Sequence, residues 1–248
     1  MAIFRNSIGQ GLGLEGKMKI HNSLRAQESF EQGVLKGLSS DPKMVSPKFF
    51  YDHRGSELFE EICQQPEYYP TRADLEILET NAREIASFFQ PQCALIEYGS
   101  GGSKKIRVLL DHLKDLSLYV PIDISGDFLE LSAKKLLQDY PDLLIEGVQA
   151  DYTQPFEIPK SVFEKTSEKV IFFPGSTIGN LSTAGRDDLL RGMWEVLQPN
   201  GYLLIGVDLH KDSSILNQAY NDAAGVSAAF NKNLLVRINK ELGGNVEL

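Results

Sequence analysis

The sequence predicts an α/β protein in which a helical layer precedes a parallel, doubly wound sheet, and three observations predict it. Beyond Pro91, five short apolar runs alternate with amphipathic segments, the pattern of strands joined by crossover helices. The first run ends in a glycine turn, Glu97-Tyr98-Gly99-Ser100-Gly101-Gly102, from which a helix departs. Ahead of Pro91 the apolar residues recur at steps of three and four instead of two.

Taken in order, residues 1–25 are glycine-spaced without sustained periodicity and are expected to form a flexible or loosely docked arm. A helical cap is expected over 26–90. It opens with an amphipathic stretch, Ser29 to Leu38, broken by Ser39-Ser40-Asp41-Pro42. Leu58, Phe59 and Ile62 predict a helix over Ser56–Gln64 that Pro66 stops. In the next helix Thr71 and Asp74 have the spacing of a capping box, and Leu75, Leu78, Ala82, Ile85 and Phe89 form a stripe suited to packing on the sheet. Strands are expected at Ala94–Tyr98, Leu118–Ile122, Leu144–Ala150, Val170–Phe173 and Tyr202–Val207. Helices are expected at Lys104–Leu113, Asp127–Asp139 and Arg186–Leu197, with a less regular link over Glu157–Lys169. The sheet core thus spans 91–210, and 211–248 add a helical segment, Ala228 to Leu242.

The 248 residues, 42% hydrophobic and 24% charged, suffice for a substantial core. A formal net charge of −9 argues against a nucleic-acid partner, whose phosphates need clustered Lys and Arg, and favours a small-molecule substrate. The two cysteines, Cys63 and Cys93, form no CxxC and are expected to be reduced packing residues. His21, His53, His112 and His210 are scattered, so no metal site is predicted. Residues 1–19 lack the apolar core of a secretory signal and no run approaches a membrane span, so a cytoplasmic address without membrane contact is expected.

In an open parallel sheet, ligands sit beyond the carboxyl ends of the strands near the switch point. The glycine turn at Gly99–Gly102 lets the backbone approach a ligand closely, although a purely structural turn reads the same way. After the second strand stands Asp123, a carboxylate able to accept from both hydroxyls of a ribose, or else to serve the turn before the next helix. After the third comes Asp151, placed to accept from an adenine amine, with Tyr152 as an aromatic surface; a solvated turn aspartate is its plainer reading. Together the three describe an adenosine pocket. Lys104 stands where the dinucleotide fingerprint G-x-G-x-x-G has its last glycine, which favours adenosylmethionine over a pyrophosphate. The fourth strand ends in Phe173-Pro174-Gly175-Ser176-Thr177-Ile178-Gly179-Asn180, a small-residue loop at the catalytic edge or an ordinary strand-to-helix connection.

The segments Lys48-Phe49-Phe50-Tyr51-Asp52, Pro66-Glu67-Tyr68-Tyr69-Pro70-Thr71-Arg72, Pro174 to Asn180, and Ala219-Tyr220-Asn221-Asp222-Ala223-Ala224-Gly225-Val226 with Ala229-Phe230-Asn231 carry more than a scaffold. They resemble the histidine-specific Nα-methyltransferase family of ergothioneine biosynthesis, from about Ser46 onward. The resemblance implies a Rossmann-like class I methyltransferase sheet without a metal. It also implies successive methyl transfers from S-adenosyl-L-methionine to the α-amino group of L-histidine, ending at the trimethylated betaine hercynine and leaving S-adenosyl-L-homocysteine. By the same resemblance Tyr51 lies near the substrate amine, Tyr68 helps form the pocket, Gly175 and Asn180 place the amino-acid backbone, and Tyr220 contacts its carboxylate. Tyr51, Gly175 and Asn180 are then the candidate catalytic residues, and 211–248 contribute to the substrate pocket. Gly99, Lys105, Asp123, Asp151 and Tyr152 match family positions around the cofactor.

Two departures stand out. Family members continue beyond the position of Leu248 through strands that complete the sheet and residues that hold the imidazole. This chain is therefore expected to lack those strands and to leave Tyr202–Val207 as an apolar sheet edge. An incompletely represented chain, a homologue covered by a partner, or a divergent protein with another substrate each fit, so a methyltransferase for another amine and an inactive cofactor-binding subunit stand beside the main reading. Tyr98 and the run Gly101-Gly102-Ser103-Lys104-Lys105 replace an aliphatic residue and a more polar turn.

Overall fold

A computed structural model describes residues 14–24, 28–113 and 115–248. It opens with a short helix, α1 (Leu14–Lys17), and a strand, β1 (Met18–Asn22). The cap follows as α2 (Phe30–Ser39), a 3-10 turn (Pro47–Phe50), α3 (His53–Ile62) and α4 (Tyr69–Ser87). The five expected strands form as β2 (Ala94–Tyr98), β3 (Leu118–Asp123), β4 (Ile145–Gln149), β5 (Lys169–Phe173) and β6 (Gly201–Ile205). Between them run α5 (Lys104–Leu110), α6 (Gly126–Asp139), α7 (Lys160–Glu164) and α8 (Thr183–Leu197). After β6 come α9 (Ser213–Ala219) and α10 (Val226–Leu242).

The strands make one parallel sheet in the order β1-β4-β3-β2-β5-β6. Alternation along the strands divides the core. Leu95, Tyr119, Ile145, Val170 and Phe172 pack under α4, α5 and α6, whereas Ala94, Ile96, Val120, Val148, Ile171 and Phe173 pack under α7 and α8. Burial on both faces explains why these strands read as continuous apolar runs. The α4 stripe meets the sheet as its spacing predicts, through Leu78, Ile85 and Phe89. Chain order reverses at β2, which pairs with both β3 and β5, so the glycine turn stands at the switch point.

Two expectations are corrected. The arm expected over 1–25 is not loosely docked at 18–22, where β1 pairs in register with β4. Its single strong apolar residue, Ile20, lies over Gly147, where an added side chain would meet Ile20 Cδ1 at 2.6 Å, and His21 pairs with Glu146 at 3.1 Å. The capping box at Thr71 and Asp74 does not form. The helix begins two residues earlier, at Tyr69, with Pro70 in its first turn, where a missing N–H costs nothing. Asp74 thus lies inside α4 with its carboxylate available for other partners. As expected, β6 is an edge: among the described residues no strand follows it, and Tyr202 on it meets Phe89 at 5.7 Å between ring centroids.

α10 closes the cap. Leu234 and Ile238 pack with Val34 and Phe49, and Arg237 Nη1 donates to the Phe49 carbonyl at 2.6 Å. Among the described residues no helix is long and apolar enough to cross a membrane.

Candidate active site

The site is assembled at the carboxyl ends of β2 to β5. Gly99 and Gly101 take φ of +76° and +46°, the left-handed region that favours glycine, so the chain can turn away from the sheet within three residues. Asp123, the last residue of β3, holds that turn: its carboxylate accepts from Gly101 N at 3.2 Å and from Ser125 N at 3.0 Å. Burial pushes the Asp123 carboxyl above its usual range, and the backbone N–H donors of Ser125, Gly101 and Ile124 oppose that shift. At Gly101 the turn is open, with nothing within 4 Å of where a side chain would start. Among the described residues the buried Ser100 hydroxyl has no hydrogen-bond partner, and the nearest atom to a side chain starting at Gly99 is on the Tyr152 ring, 3.7 Å away. Tyr98 fills the space behind, its ring 5.8 Å from those of Tyr152 and Phe156, which accommodates its departure from an aliphatic residue.

Asp151, after β4, is buried, and its carboxylate is already engaged. One oxygen accepts from Thr153 N at 3.0 Å and the other from Lys48 Nζ at 3.2 Å. A carboxylate has about four acceptor sites, so further donors can be taken. Lys48 belongs to the Lys48–Asp52 segment, and its ion pair ties the cap to the end of β4. Nothing in the spacing of Lys48 and Asp151, 103 residues apart, signals that pairing.

Gly175, after β5, has φ +81° and Ser176 +58°. Gly175 N donates to Asp74 Oδ2 at 2.7 Å, and the same oxygen accepts from Lys105 Nζ at 2.6 Å. Asp74 therefore joins the cap helix α4, the helix α5 that follows the glycine turn and the loop after β5. Asn180 ends a 3-10 turn, Thr177–Asn180, where it is exposed, and among the described residues its side chain has no hydrogen-bond partner.

Beside this frame lies an aromatic cluster. Tyr51 is edge-on to Phe59 and Phe230, with centroids 5.6 and 5.5 Å away; Tyr68 is edge-on to Phe59 at 6.2 Å and to Tyr220 at 5.8 Å; Phe50 stacks on Phe230 at 5.4 Å. The three tyrosines expected from the sequence are thus brought together, although Tyr220 stays 61% exposed. Phe59 and Phe230 were not among the expected site residues. Burial pushes the Tyr51 hydroxyl well above its usual range, with further contributions from Cys63, Asp123 and Tyr220. Burial does the same for Tyr68 and for Tyr152, and Tyr51 and Asp123 both add to the Tyr152 shift. Tyr51, Asp123 and Tyr152 accordingly share one electrostatic neighbourhood where cap and sheet meet. Among the described residues no group of three or more His, Cys, Asp or Glu is placed to hold a metal.

Residues 30–248 match the family model described as histidine-specific methyltransferase, SAM-dependent. The chain is 40% identical over 227 residues to the histidine N-alpha-methyltransferase of Mycolicibacterium smegmatis, covering 90% of this chain and 69% of that protein. It is 32% identical over 205 residues to ergothioneine biosynthesis protein 1 of Neurospora crassa, covering 82% of this chain and 23% of that protein. It is 26% identical over 201 residues to the 4-dimethylallyltryptophan N-methyltransferase of Claviceps purpurea, covering 79% of this chain and 56% of that protein. With the glycine turn at the switch point of a parallel sheet and an aromatic cap beside it, this chain belongs to the histidine-specific, SAM-dependent methyltransferase family.

Proposed function

We propose that this chain methylates the α-amino nitrogen of L-histidine, in successive rounds up to the trimethylated betaine hercynine. The carrying observation is the aromatic cluster of Tyr51, Phe59, Tyr68, Tyr220 and Phe230, whose Tyr51 hydroxyl also feels the charge of Asp123. A nitrogen that becomes a fixed cation needs faces that tolerate charge without hydrogen bonding, and aromatic rings attract such cations by their quadrupoles. The 40% identity to a protein named histidine N-alpha-methyltransferase supports histidine as the substrate, and the Neurospora relative's name supports a place in ergothioneine biosynthesis.

S-adenosylmethionine, when bound, supplies a methyl carbon activated by its sulfonium. For this chain we assign Gly99, Lys105, Asp123, Asp151 and Tyr152 to the cofactor, with Asp123, Asp151 and Tyr152 at its adenosine part. The buried Ser100 hydroxyl, without a hydrogen-bond partner among the described residues, and the open space at Gly101 fit such a ligand. The remaining residues orient the amine. Tyr51 and Tyr68 keep their protons, since burial pushes both hydroxyls up, so they orient the nitrogen and do not deprotonate it. The proton goes to water, as the α-amino reference pKa of about 8 for chain termini suggests an amine can do near neutrality. Gly175 and Asn180 place the backbone of the amino acid and Tyr220 its carboxylate.

The Claviceps relative, named for a tryptophan derivative, favours a second reading, an aromatic amino acid other than histidine. Incubation with S-adenosylmethionine and a panel including histidine and tryptophan, read by mass spectrometry, separates the two. One, two and three added methyl groups on histidine are expected. Methylation of another amine without histidine would replace the substrate, and cofactor binding without any methylation would leave an inactive binding subunit.

A further inference from the structure

We infer that Asp74 is a positioning residue that fixes the loop after β5 from inside the cap, with Lys105 as its counter-ion; the inference rests on the methyltransferase reading above. Asp74 sits on the second turn of α4, yet its carboxylate reaches between the ends of β5 and β6. There Oδ2 accepts from Gly175 N at 2.7 Å and from Lys105 Nζ at 2.6 Å. The gap is shaped for it: a side chain starting at Gly206, just past β6, would meet Asp74 Oδ1 at 3.0 Å, Gly175 N at 3.1 Å and Pro174 Cα at 3.3 Å. Gly206 itself donates to the Phe173 carbonyl at 3.0 Å, so the wall of the gap is tied to β5 and does not drift.

The consequence concerns the peptide plane between Pro174 and Gly175. Gly175 is in the left-handed region, where a glycine has several accessible peptide orientations, and its N–H is the handle that selects one. A carboxylate paired with a half-buried ammonium is a stronger acceptor than a neutral group, and it leaves the N–H little freedom. Holding the N–H holds the adjoining carbonyl and the start of the Ser176–Asn180 turn. Because the donor Lys105 stands on the cofactor side and Gly175 on the amino-acid side, one carboxylate oxygen sets the spacing between the two.

The test compares Asp74→Ala, Asp74→Asn and Gly206→Ala in the full chain. Loss of a charge-assisted hydrogen bond that aligns reacting groups lowers kcat by about tenfold or more, and D74A is expected to show this. D74N keeps a neutral oxygen for Gly175 but loses the ion pair with Lys105, and is expected to recover part of that loss. G206A leaves every ionisable group in place and crowds the carboxylate, and is expected to lower kcat in the same direction with little change in melting temperature. The Gly175 amide gives a readout independent of turnover: a proton shared with a carboxylate resonates at low field and exchanges slowly, and D74A should abolish both. D74A with undiminished kcat, D74N as impaired as D74A, or a Gly175 amide indifferent to D74A would each overturn the inference. A wild-type protein inactive on histidine whose Gly175 amide still responds to D74A would refute the substrate and support the positioning.

Discussion

Asn233, midway along α10, donates its side-chain amide to Asp52 Oδ1 at 2.7 Å, joining positions 181 residues apart. The same oxygen accepts from Gly55 N at 2.8 Å and caps α3, while Arg237 Nε lies 3.5 Å from the other oxygen. One carboxylate beside Tyr51 therefore starts a cap helix and docks the helix that carries Phe230. Asp52→Ala removes a helix cap worth about 1 kcal/mol and leaves the buried Asn233 amide without an acceptor, at a cost of about 1–3 kcal/mol. Urea unfolding is expected to show a loss of about 2–4 kcal/mol for Asp52→Ala. Asp52→Asn, which still caps, should lose well under half of that. Equal losses would show that charge, not the shared hydrogen bonds, is what matters at this junction.

The positions of Gly99, Asp123 and Asp151 at the carboxyl ends of β2, β3 and β4 were legible because each ends or follows an apolar run whose burial on both faces makes it conspicuous. β1 was not legible, since five residues with one strong apolar side chain show no pattern until the bare Gly147 opposite is known. Asp74 was hidden by coincidence. Its spacing from Thr71 imitates a cap, and its real partners lie 31 and 101 residues away. Phe59 and Phe230 sit at ordinary core spacing on amphipathic helices, where an aromatic ring facing a ligand and one facing a neighbour look alike.

Asp123 and Asn180 should separate the two halves of the site. Asp123 supports the glycine turn through Gly101 and the next helix through Ser125, so Asp123→Ala loses both the turn geometry and an acceptor. Calorimetric titration with S-adenosylhomocysteine is expected to show no binding by this variant. Asn180→Ala, on an exposed turn with no partner among the described residues, should bind the cofactor product normally and raise the KM for the amino acid. The reverse pattern would exchange the two assignments.

Phe230 offers a test of why the cap is aromatic. Its ring meets Phe50, Tyr51 and Phe59, so Phe230→Leu keeps an apolar filler but removes one π face. A cation–π contribution is worth about 0.5–2 kcal/mol and acts on the charged, methylated nitrogen more than on the neutral amine. The expected outcome is accumulation of mono- and dimethylated product at early times, with the first transfer slowed less than the third. A uniform slowing of all three steps would mean that the ring only packs.

Glu97 gives the fold a pH dependence of its own. It is buried in β2, where the Tyr119 hydroxyl donates to it, and burial pushes its carboxyl up to about 8, opposed by that hydrogen bond and by Lys105. In the unfolded chain it titrates at its ordinary value near 4.5, so between roughly pH 5 and 8 the folded state holds a proton that the unfolded state has released. Stability from this group is full below the unfolded value and is lost as pH rises through the folded one, by at most about 1.4 kcal/mol per pH unit. Glu97→Gln carries no such proton. Unfolding curves at a series of pH values should therefore show wild type losing stability relative to Glu97→Gln from pH 5 to 8, and parallel curves would mean that the folded carboxyl is already ionised at pH 5.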